Sequence, residues 1–124
     1  MKVRTPPNGG NTYISVAART SELFDGYFAA LAGSSINSNG TLGIFTNASK
    51  DAAHAFTALR DNADYFLEFI INGYALNLTL YNDDMTINKS ITYNDSLRLY
   101  NSGYIWFALE NETKLVDFKI EKGN

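Results

Sequence analysis

The feature that most constrains the fold is a pair of alternating segments around Asn72-Gly73. Residues 64–72 (DYFLEFIIN) and 75–81 (ALNLTLY) each place an apolar side chain at every second position. A period of two is typical of strands that bury one face, and Asn-Gly between two such segments is a strong hairpin signal. The pattern predicts a central antiparallel hairpin. Its expected inward side chains are Tyr65, Leu67, Phe69, Ile71, Leu76, Leu78 and Leu80.

A second alternating pair closes the chain. Residues 103–120 (GYIWFALENETKLVDFKI) are expected to form two strands joined by a tight turn at 111–113. The alternation predicts an inward face on each strand and leaves Trp106 and Asp117 outward. The expected inward residues are Ile105, Phe107, Leu109, Val116, Phe118 and Ile120.

Further alternating segments at residues 1–5, 11–20, 27–33, 40–46 and 85–93 are separated by Gly-, Asn- and Pro-rich turns. Residues 47–62 are ambiguous, since their alanines favour a helical turn while an irregular strand is equally compatible. No fixed repeat or low-complexity linker divides the 124 residues. The sequence therefore predicts one domain, residues 1–124, with an all-β, two-sheet antiparallel jelly-roll sandwich of about nine strands.

Composition excludes several function classes. The formal net charge of −3 and the ten scattered Lys and Arg residues provide no basic surface for nucleic acid. The chain has no cysteine, which excludes disulfides, thiol nucleophiles and thiolate metal sites. No apolar run approaches the roughly 20 residues of a membrane helix, so membrane insertion is not expected.

The motif Asn-x-Ser/Thr occurs six times, where the fourteen Asn and nineteen Ser and Thr residues would give about two by chance. The excess favours an extracellular or cell-surface protein. The alternative explanation is that Asn, Ser and Thr cluster in β-turns and on solvated strand faces for local hydrogen bonding. The motifs begin at Asn39, Asn47, Asn77, Asn88, Asn94 and Asn111.

The order of these segments resembles that of concanavalin A-like (laminin G-like) jelly rolls, which occur as carbohydrate-binding and adhesion modules. The similarity covers nearly the whole chain. It rests on a strand ending in Ala18-Arg19, the strand at Tyr27, the Asn72-Gly73 hairpin and the closing segment from Gly103-Tyr104 to Asp117-Phe118. Such modules usually begin with an acidic, Trp-containing segment that does not precede Met1 here. An incomplete sheet would leave an open edge available for self-association.

Sugar binding needs aromatic rings that stack on the sugar and planar polar groups that bind its hydroxyls. If the strands pack as in the resemblance, outward side chains would line one sheet face, with loop residues Glu22, Asp25 and Tyr27 at its rim. The alternative is that Tyr104 and Trp106 cover the core and that Arg19 pairs with Glu68. The candidate ligand-binding residues are Tyr13, Arg19, Tyr27, Glu68, Asn77, Tyr104 and Trp106.

The sequence gives weaker evidence for a catalytic site or a metal site than for sugar binding. The only histidine, His54, has no recognisable nucleophile motif beside it, and the Glu-x-Asp-x-x-Glu strand of jelly-roll glucanases is absent. No cofactor is therefore expected, apart from calcium. The resemblance implies Asp117 as a possible calcium ligand, and Asn82-Asp83-Asp84 is a second oxygen-rich turn.

The sequence thus favours a non-catalytic extracellular module that binds a glycan or polysaccharide or acts in adhesion. Two alternatives stay open. One is a self-associating structural subunit of a surface layer, filament or virion. The other is a small glycosidase, which would require two outward carboxylates about 5 to 9.5 Å apart.

Overall fold

The computed structural model describes residues 1–20, 25–34, 40–47, 50–110 and 112–121. Ten β-strands make up its regular structure. Within these ranges there is no helix long and apolar enough to span a membrane. The strands are β1 (Lys2–Arg4), β2 (Thr12–Thr20), β3 (Asp25–Gly33), β4 (Gly40–Asn47), β5 (Lys50–Thr57), β6 (Asp64–Asn72), β7 (Ala75–Tyr81), β8 (Ile87–Asn94), β9 (Tyr104–Glu110) and β10 (Lys114–Asp117).

The strands form two antiparallel five-stranded sheets. The front sheet has the order β5-β4-β3-β2-β9, and the back sheet has the order β10-β1-β6-β7-β8. The prediction of an all-β, two-sheet antiparallel sandwich is confirmed. The ambiguous Ala-rich stretch forms β5, so the irregular strand is the alternative that the structure shows. Strand β5 pairs with β4, and the register of this pair shifts between Ile44 and Asn47.

Alternate residues of both sheets meet in one core. Ile14, Leu31 and Leu42 of the front sheet and Leu67 and Leu78 of the back sheet are all essentially inaccessible to solvent. Because successive side chains on a strand point to opposite faces, each strand supplies the core with every second residue. The alternation seen in the sequence is therefore the source of the sandwich.

The central hairpin forms as predicted, with its turn displaced by one residue. Asn72 pairs with Ala75, so the two turn residues are Gly73 and Tyr74. Gly73 has a φ of 61°, a conformation that glycine adopts without steric cost. Type II′ turns favour glycine at the first of their two central positions, so the location of Gly73 is typical of that turn type.

The predicted closing hairpin is wrong in its pairing. Strand β9 pairs with β2 in the front sheet, and β10 pairs with β1 in the back sheet. Alternation identifies a strand but not its partner, and a connection of three residues is long enough to cross the roughly 10 Å between packed sheets. Residue 111 lies outside the described ranges, while Glu112 at this corner has a φ of 65°.

The inward face predicted for the last strand is also wrong. Leu115 pairs with the buried Val3 and packs against the core. Val116, Phe118 and Ile120 are exposed, and β10 ends at Asp117. Since β9 and β10 belong to different sheets, the inward positions of β10 are set by pairing with β1 and not by continuation of a hairpin.

A bulge in β2 shapes the end of the front sheet where β9 begins. The β2–β9 register shifts between Ala17 and Thr20, and Arg19 adopts a φ of 55°. Gly103 lies against this bulge with a φ of 145°. A methyl group on Gly103 would lie 2.4 Å from the Thr20 carbonyl oxygen and 2.7 Å from the Thr20 nitrogen. The entry into β9 therefore requires glycine.

We expect Gly103→Ala to lower the free energy of unfolding by about 3 kcal/mol, because its methyl group would meet backbone atoms at a positive φ. Gly73→Ala is the matched control. It also has a positive φ, but no atom within 4 Å would meet its methyl group, so its cost should be about 1 kcal/mol. Urea denaturation measures both values, and equal losses would contradict the steric explanation.

Candidate functional site

The outer face of the front sheet carries side chains in three rows that run across the strands. The register aligns them from β9 to β4. The middle row holds small side chains only, and the row on each side of it carries aromatic or larger polar groups. The first row is Trp106, Ala17, Phe28 and Phe45; the middle row is Ala108, Ser15, Ala30 and Gly43; the third row is Glu110, Tyr13, Ala32 and Thr41.

These rows form a trough perpendicular to the strands. The outer rows are four residues apart along each strand, roughly 13 Å, and the four strands span roughly 14 Å between the outermost backbones. The resulting groove has a volume of about 310 Å³. Its floor is low because the middle row has no side chain larger than serine. The groove is thus a direct product of strand register.

The first wall of the groove is a fixed aromatic row. Trp106 and Phe28 both pair with Ala17, which is fully buried, and their rings meet edge to face with centroids 5.5 Å apart. The Phe45 ring leans along its strand over Gly43, where a methyl group would lie 2.9 Å from Phe45 Cε2. Gly43 therefore allows the ring to lie on the sheet. This packing orients the rings before any ligand is present.

The opposite wall contributes polar groups. Tyr13 is half-buried and keeps a phenol hydroxyl at the groove, Thr41 adds a second hydroxyl, and Glu110 is exposed at the β9 end. The Tyr13 backbone N–H donates to Thr113 Oγ1 over 2.9 Å. The Thr113 N–H donates to the Glu110 carbonyl over 3.1 Å. The corner after β9 therefore holds this wall in place.

Two of the predicted ligand-binding residues, Tyr13 and Trp106, line opposite walls of the groove. Two others lie nearby but outside it. Tyr104 is 77% exposed beyond the bulge, at the start of β9. Arg19 Nη1 donates to the carbonyl oxygens of Gly73 (2.7 Å) and Tyr100 (3.1 Å). The Arg19 side chain thus hydrogen-bonds the bulge to the turn at Gly73 and the loop at Tyr100.

Glu68 and Asn77 are not part of this face. Both lie on the outer face of the back sheet, where Glu68 accepts a hydrogen bond from the Tyr81 hydroxyl (3.1 Å) and Asn77 Oδ1 accepts one from Thr79 Oγ1 (3.0 Å). The expectation that Glu68 and Asn77 share a surface with Trp106 is therefore wrong. The alternative that Arg19 pairs with Glu68 is wrong as well, since Arg19 donates to Gly73 and Tyr100. Alternation assigns a residue to an outer face, but each sandwich has two such faces.

The prediction that Tyr27 lies at the rim of a binding face is also wrong, because its side chain is 0% exposed and lies in the core. Its hydroxyl donates to Asp95 Oδ2 over 2.5 Å, and its ring meets that of Tyr100 edge to face at 4.9 Å. Burial raises the pKa of Tyr27 well above its usual value of 10, and the hydrogen bond to Asp95 adds to this. Tyr27 therefore holds the structure together and is not available to a ligand.

Asp95 is buried and receives several hydrogen bonds. Besides Tyr27, the backbone N–H groups of Leu97 (3.1 Å) and Leu99 (3.0 Å) donate to its carboxylate. Burial raises the pKa of Asp95, but hydrogen bonds from Tyr27 and the loop backbone outweigh burial and hold the pKa below its usual 3.8. The folded chain therefore keeps a charged carboxylate at this position.

The calcium candidates do not converge. Asp117 is exposed, and its Oδ1 accepts a hydrogen bond from the Phe118 N–H over 2.8 Å. Asp84 accepts two hydrogen bonds from Thr86, which lower the pKa of its carboxyl. Among the described residues, no group of three His, Asp or Glu side chains is placed to hold a metal ion.

A second depression of about 500 Å³ lies between the loops around Arg4 and Arg60. Two of its charged groups, Arg4 and Asp64, pair with each other. The Arg4 guanidinium donates to both oxygens of Asp64, over 2.8 and 3.2 Å. These hydrogen bonds hold the pKa of Asp64 below its usual value. The depression lacks the aromatic wall of the groove, which is the stronger candidate site.

Sequence reasoning missed most of the groove. Phe28, Phe45 and Thr41 had not been considered as ligand contacts, and Glu22, proposed for the rim, lies outside the described residues. A signal was present, since β3 and β4 each place small residues next to an aromatic on the outward face. Such a pattern on two adjacent central strands indicates a trough.

Two of the Asn-x-Ser/Thr asparagines are engaged in side-chain hydrogen bonds. Asn77 bonds to Thr79, and Asn88 accepts a hydrogen bond from Thr57 Oγ1 while donating to Asn82 Oδ1. Hydrogen bonds within the fold, local for Asn77 and partly long-range for Asn88, therefore account for these two asparagines. Asn39 and Asn111 lie outside the described residues.

No known protein-family model, no curated protein and no solved structure matches this chain. The function is therefore inferred from the geometry of the chain itself.

We expect Asp95→Asn to destabilise the fold by about 2 kcal/mol at pH 7, because it removes a charged acceptor of buried hydrogen bonds. Since the folded pKa is lowered, the stabilisation is complete above about pH 4 and is lost as the pH falls through the folded pKa. The difference between the wild type and Asp95→Asn should therefore shrink below pH 4.

Chemical denaturation from pH 7 to pH 2 measures this difference. Asp84→Asn is the matched control, because that carboxylate is also hydrogen-bonded but fully exposed, and its replacement should change stability little. A difference for Asp95→Asn that stays constant down to pH 2 would contradict the assignment.

Proposed function

We propose that this chain is a non-catalytic carbohydrate-binding module that holds a polysaccharide in the groove of the front sheet. The observation that carries the proposal is the aromatic wall of Trp106, Phe28 and Phe45 beside a floor of small side chains. The four Asn-x-Ser/Thr motifs other than those at Asn77 and Asn88 support an extracellular setting for such a module.

The groove has the chemistry that sugars require. A pyranose ring has apolar faces formed by its C–H groups, and an aromatic ring buries such a face by stacking. Its equatorial hydroxyls need hydrogen-bonding groups around the edge, which Tyr13, Thr41 and Glu110 provide on the opposite wall. Because the trough is shallow and crosses several strands, it favours an extended chain over a small enclosed ligand.

The lining also favours binding over hydrolysis. A glycosidase acts through two carboxyl groups about 5 to 9.5 Å apart on either side of the scissile bond. Among the described lining residues, Glu110 is the one carboxylate. We therefore assign Glu110 to hydroxyl recognition. His54 lies beyond the groove on β5, where its Nδ1 is 3.1 Å from Asp51.

We expect the wild-type chain to be retarded by at least one soluble polysaccharide in affinity electrophoresis, and Trp106→Ala to weaken that retention roughly tenfold or more, because the stacking ring is lost. Tyr81→Ala is the matched control, since it removes an aromatic ring from the outer face of the back sheet, away from the groove. Thermal unfolding shows whether each variant is folded.

A broad polysaccharide panel that retains neither the wild type nor any variant would refute the proposed function. If Tyr81→Ala loses retention and Trp106→Ala keeps it, the binding surface lies elsewhere.

A further inference from the structure

Among the residues that the structure describes, strand β9 is an edge strand without the features that usually protect a sheet edge. Natural edges are short, charged, bulged or covered, which prevents pairing with other chains. The other edges in the described structure have such features: β5 carries Lys50 and Asp51, β8 carries Lys89, and β10 has four residues including Lys114 and Asp117. In contrast, β9 is seven residues long and uncharged until its final Glu110.

The inward face of β9 is incompletely covered. Ile105 is 45% exposed and Leu109 is 36% exposed, although both point toward the space between the sheets. The exposed Phe118, which follows β10, packs against Phe107 with ring centroids 5.3 Å apart. These side chains form a continuous apolar strip along the open side of the sandwich, where a strand added to β9 would cover them.

The sequence of β9 is complementary to itself when two copies run antiparallel. Pairing centred on Phe107 places Ile105 opposite Leu109 on the inward face. On the groove face, the same register places the large Trp106 opposite the small Ala108, and it sets the Tyr104 ring opposite Glu110 at each end. Cross-strand pairs of this kind stabilise antiparallel sheets.

Other registers are poorer. If the two-fold axis passed between two residues of β9, the inward side chains of one copy would lie opposite the outward side chains of the other. Centring on Trp106 would oppose two tryptophans and shorten the ladder. The Phe107 centre alone uses all seven residues of the strand. The occupant that fits this edge is thus a second copy of β9.

We propose that the chain forms a two-fold dimer through antiparallel β9–β9 pairing centred on Phe107. The two front sheets then join into one continuous ten-stranded sheet, and the apolar strip becomes buried between the copies. The interface is isologous, as expected for a closed dimer.

The dimer also changes the groove, a consequence that rests on the proposed function. The floor of the groove is open at Ala108 on β9. In the proposed register, Trp106 of the second copy lies beside Ala108 at this end. The same register places Tyr104 of the second copy beside Glu110, so each site gains two aromatic rings from the other copy.

Sedimentation equilibrium of the wild type is expected to show a reversible dimer of twice the chain mass. Ile105→Lys introduces a charge into the apolar strip, opposite Leu109 of the second copy, so the dissociation constant should rise roughly 100-fold or more. Ile87→Lys is the matched control: it is the same substitution at an exposed position on an edge of the back sheet, and it should dimerise as the wild type does.

A wild type that stays monomeric at millimolar concentration would overturn the proposal. Equal dimerisation of Ile105→Lys and Ile87→Lys would also overturn it, by placing the interface elsewhere. Since this measurement uses no glycan, its outcome is separate from that of the proposed function. A strictly monomeric chain that still binds polysaccharide would refute the dimer alone.

The register can be tested separately, because the chain has no cysteine. Phe107→Cys should form a disulfide-linked dimer under mild oxidation, since its two copies face each other within disulfide reach. Tyr104→Cys should not, because its two copies lie six positions apart, roughly 20 Å.

Thermal unfolding under reducing conditions checks that both cysteine variants fold. If Phe107→Cys does not fold, the double variant with Ile105→Cys and Leu109→Cys tests the same register through exposed positions. The register would be refuted if Tyr104→Cys cross-links while neither Phe107→Cys nor the double variant with Ile105→Cys and Leu109→Cys does.

Discussion

The hydrogen bonding of the buried Asp95 carboxylate is the interaction that supports the candidate binding face. It accepts hydrogen bonds from Tyr27 on β3 and from backbone N–H groups of the loop that leads to β9. A charge in this position is costly unless its oxygens are satisfied, so loop and strand are held in one arrangement. Arg19 reinforces it by donating to the Tyr100 carbonyl. These contacts hold the loop that leads into β9, and the pairing of β9 with β2 then places Trp106.

From that placement, the groove arises through register rather than through loops. Every wall and floor residue is an outward side chain of a strand, and its neighbours are set by backbone pairing. Strands hold side chains more rigidly than loops do, which favours preorganised rings. The cost is limited adaptability, because a change at one row position alters its neighbours on both adjacent strands.

The sequence was sufficient to predict the strands and the sandwich, because alternation is a local property. It could not predict partners: residues 103–120 alternate as a hairpin would, yet β9 and β10 join different sheets. The same limit applies to the site. Trp106 and Tyr13 were correctly assigned to an outward face, but Glu68 has the same local pattern and lies on the other sheet. Which face a residue occupies depends on long-range pairing that no single segment contains.

The pairing of β1 with β10 has a consequence for the behaviour of the fold under mechanical tension. Lys2 lies beside Asp117, and Arg4 lies beside Lys114. Hydrogen bonds in an antiparallel ladder run perpendicular to the strands, so a force pulling Lys2 and Asp117 apart would load the bonds one at a time. The strand pair would unzip at low force, and β10 would detach while the β6–β7–β8 part of the back sheet kept its pairing.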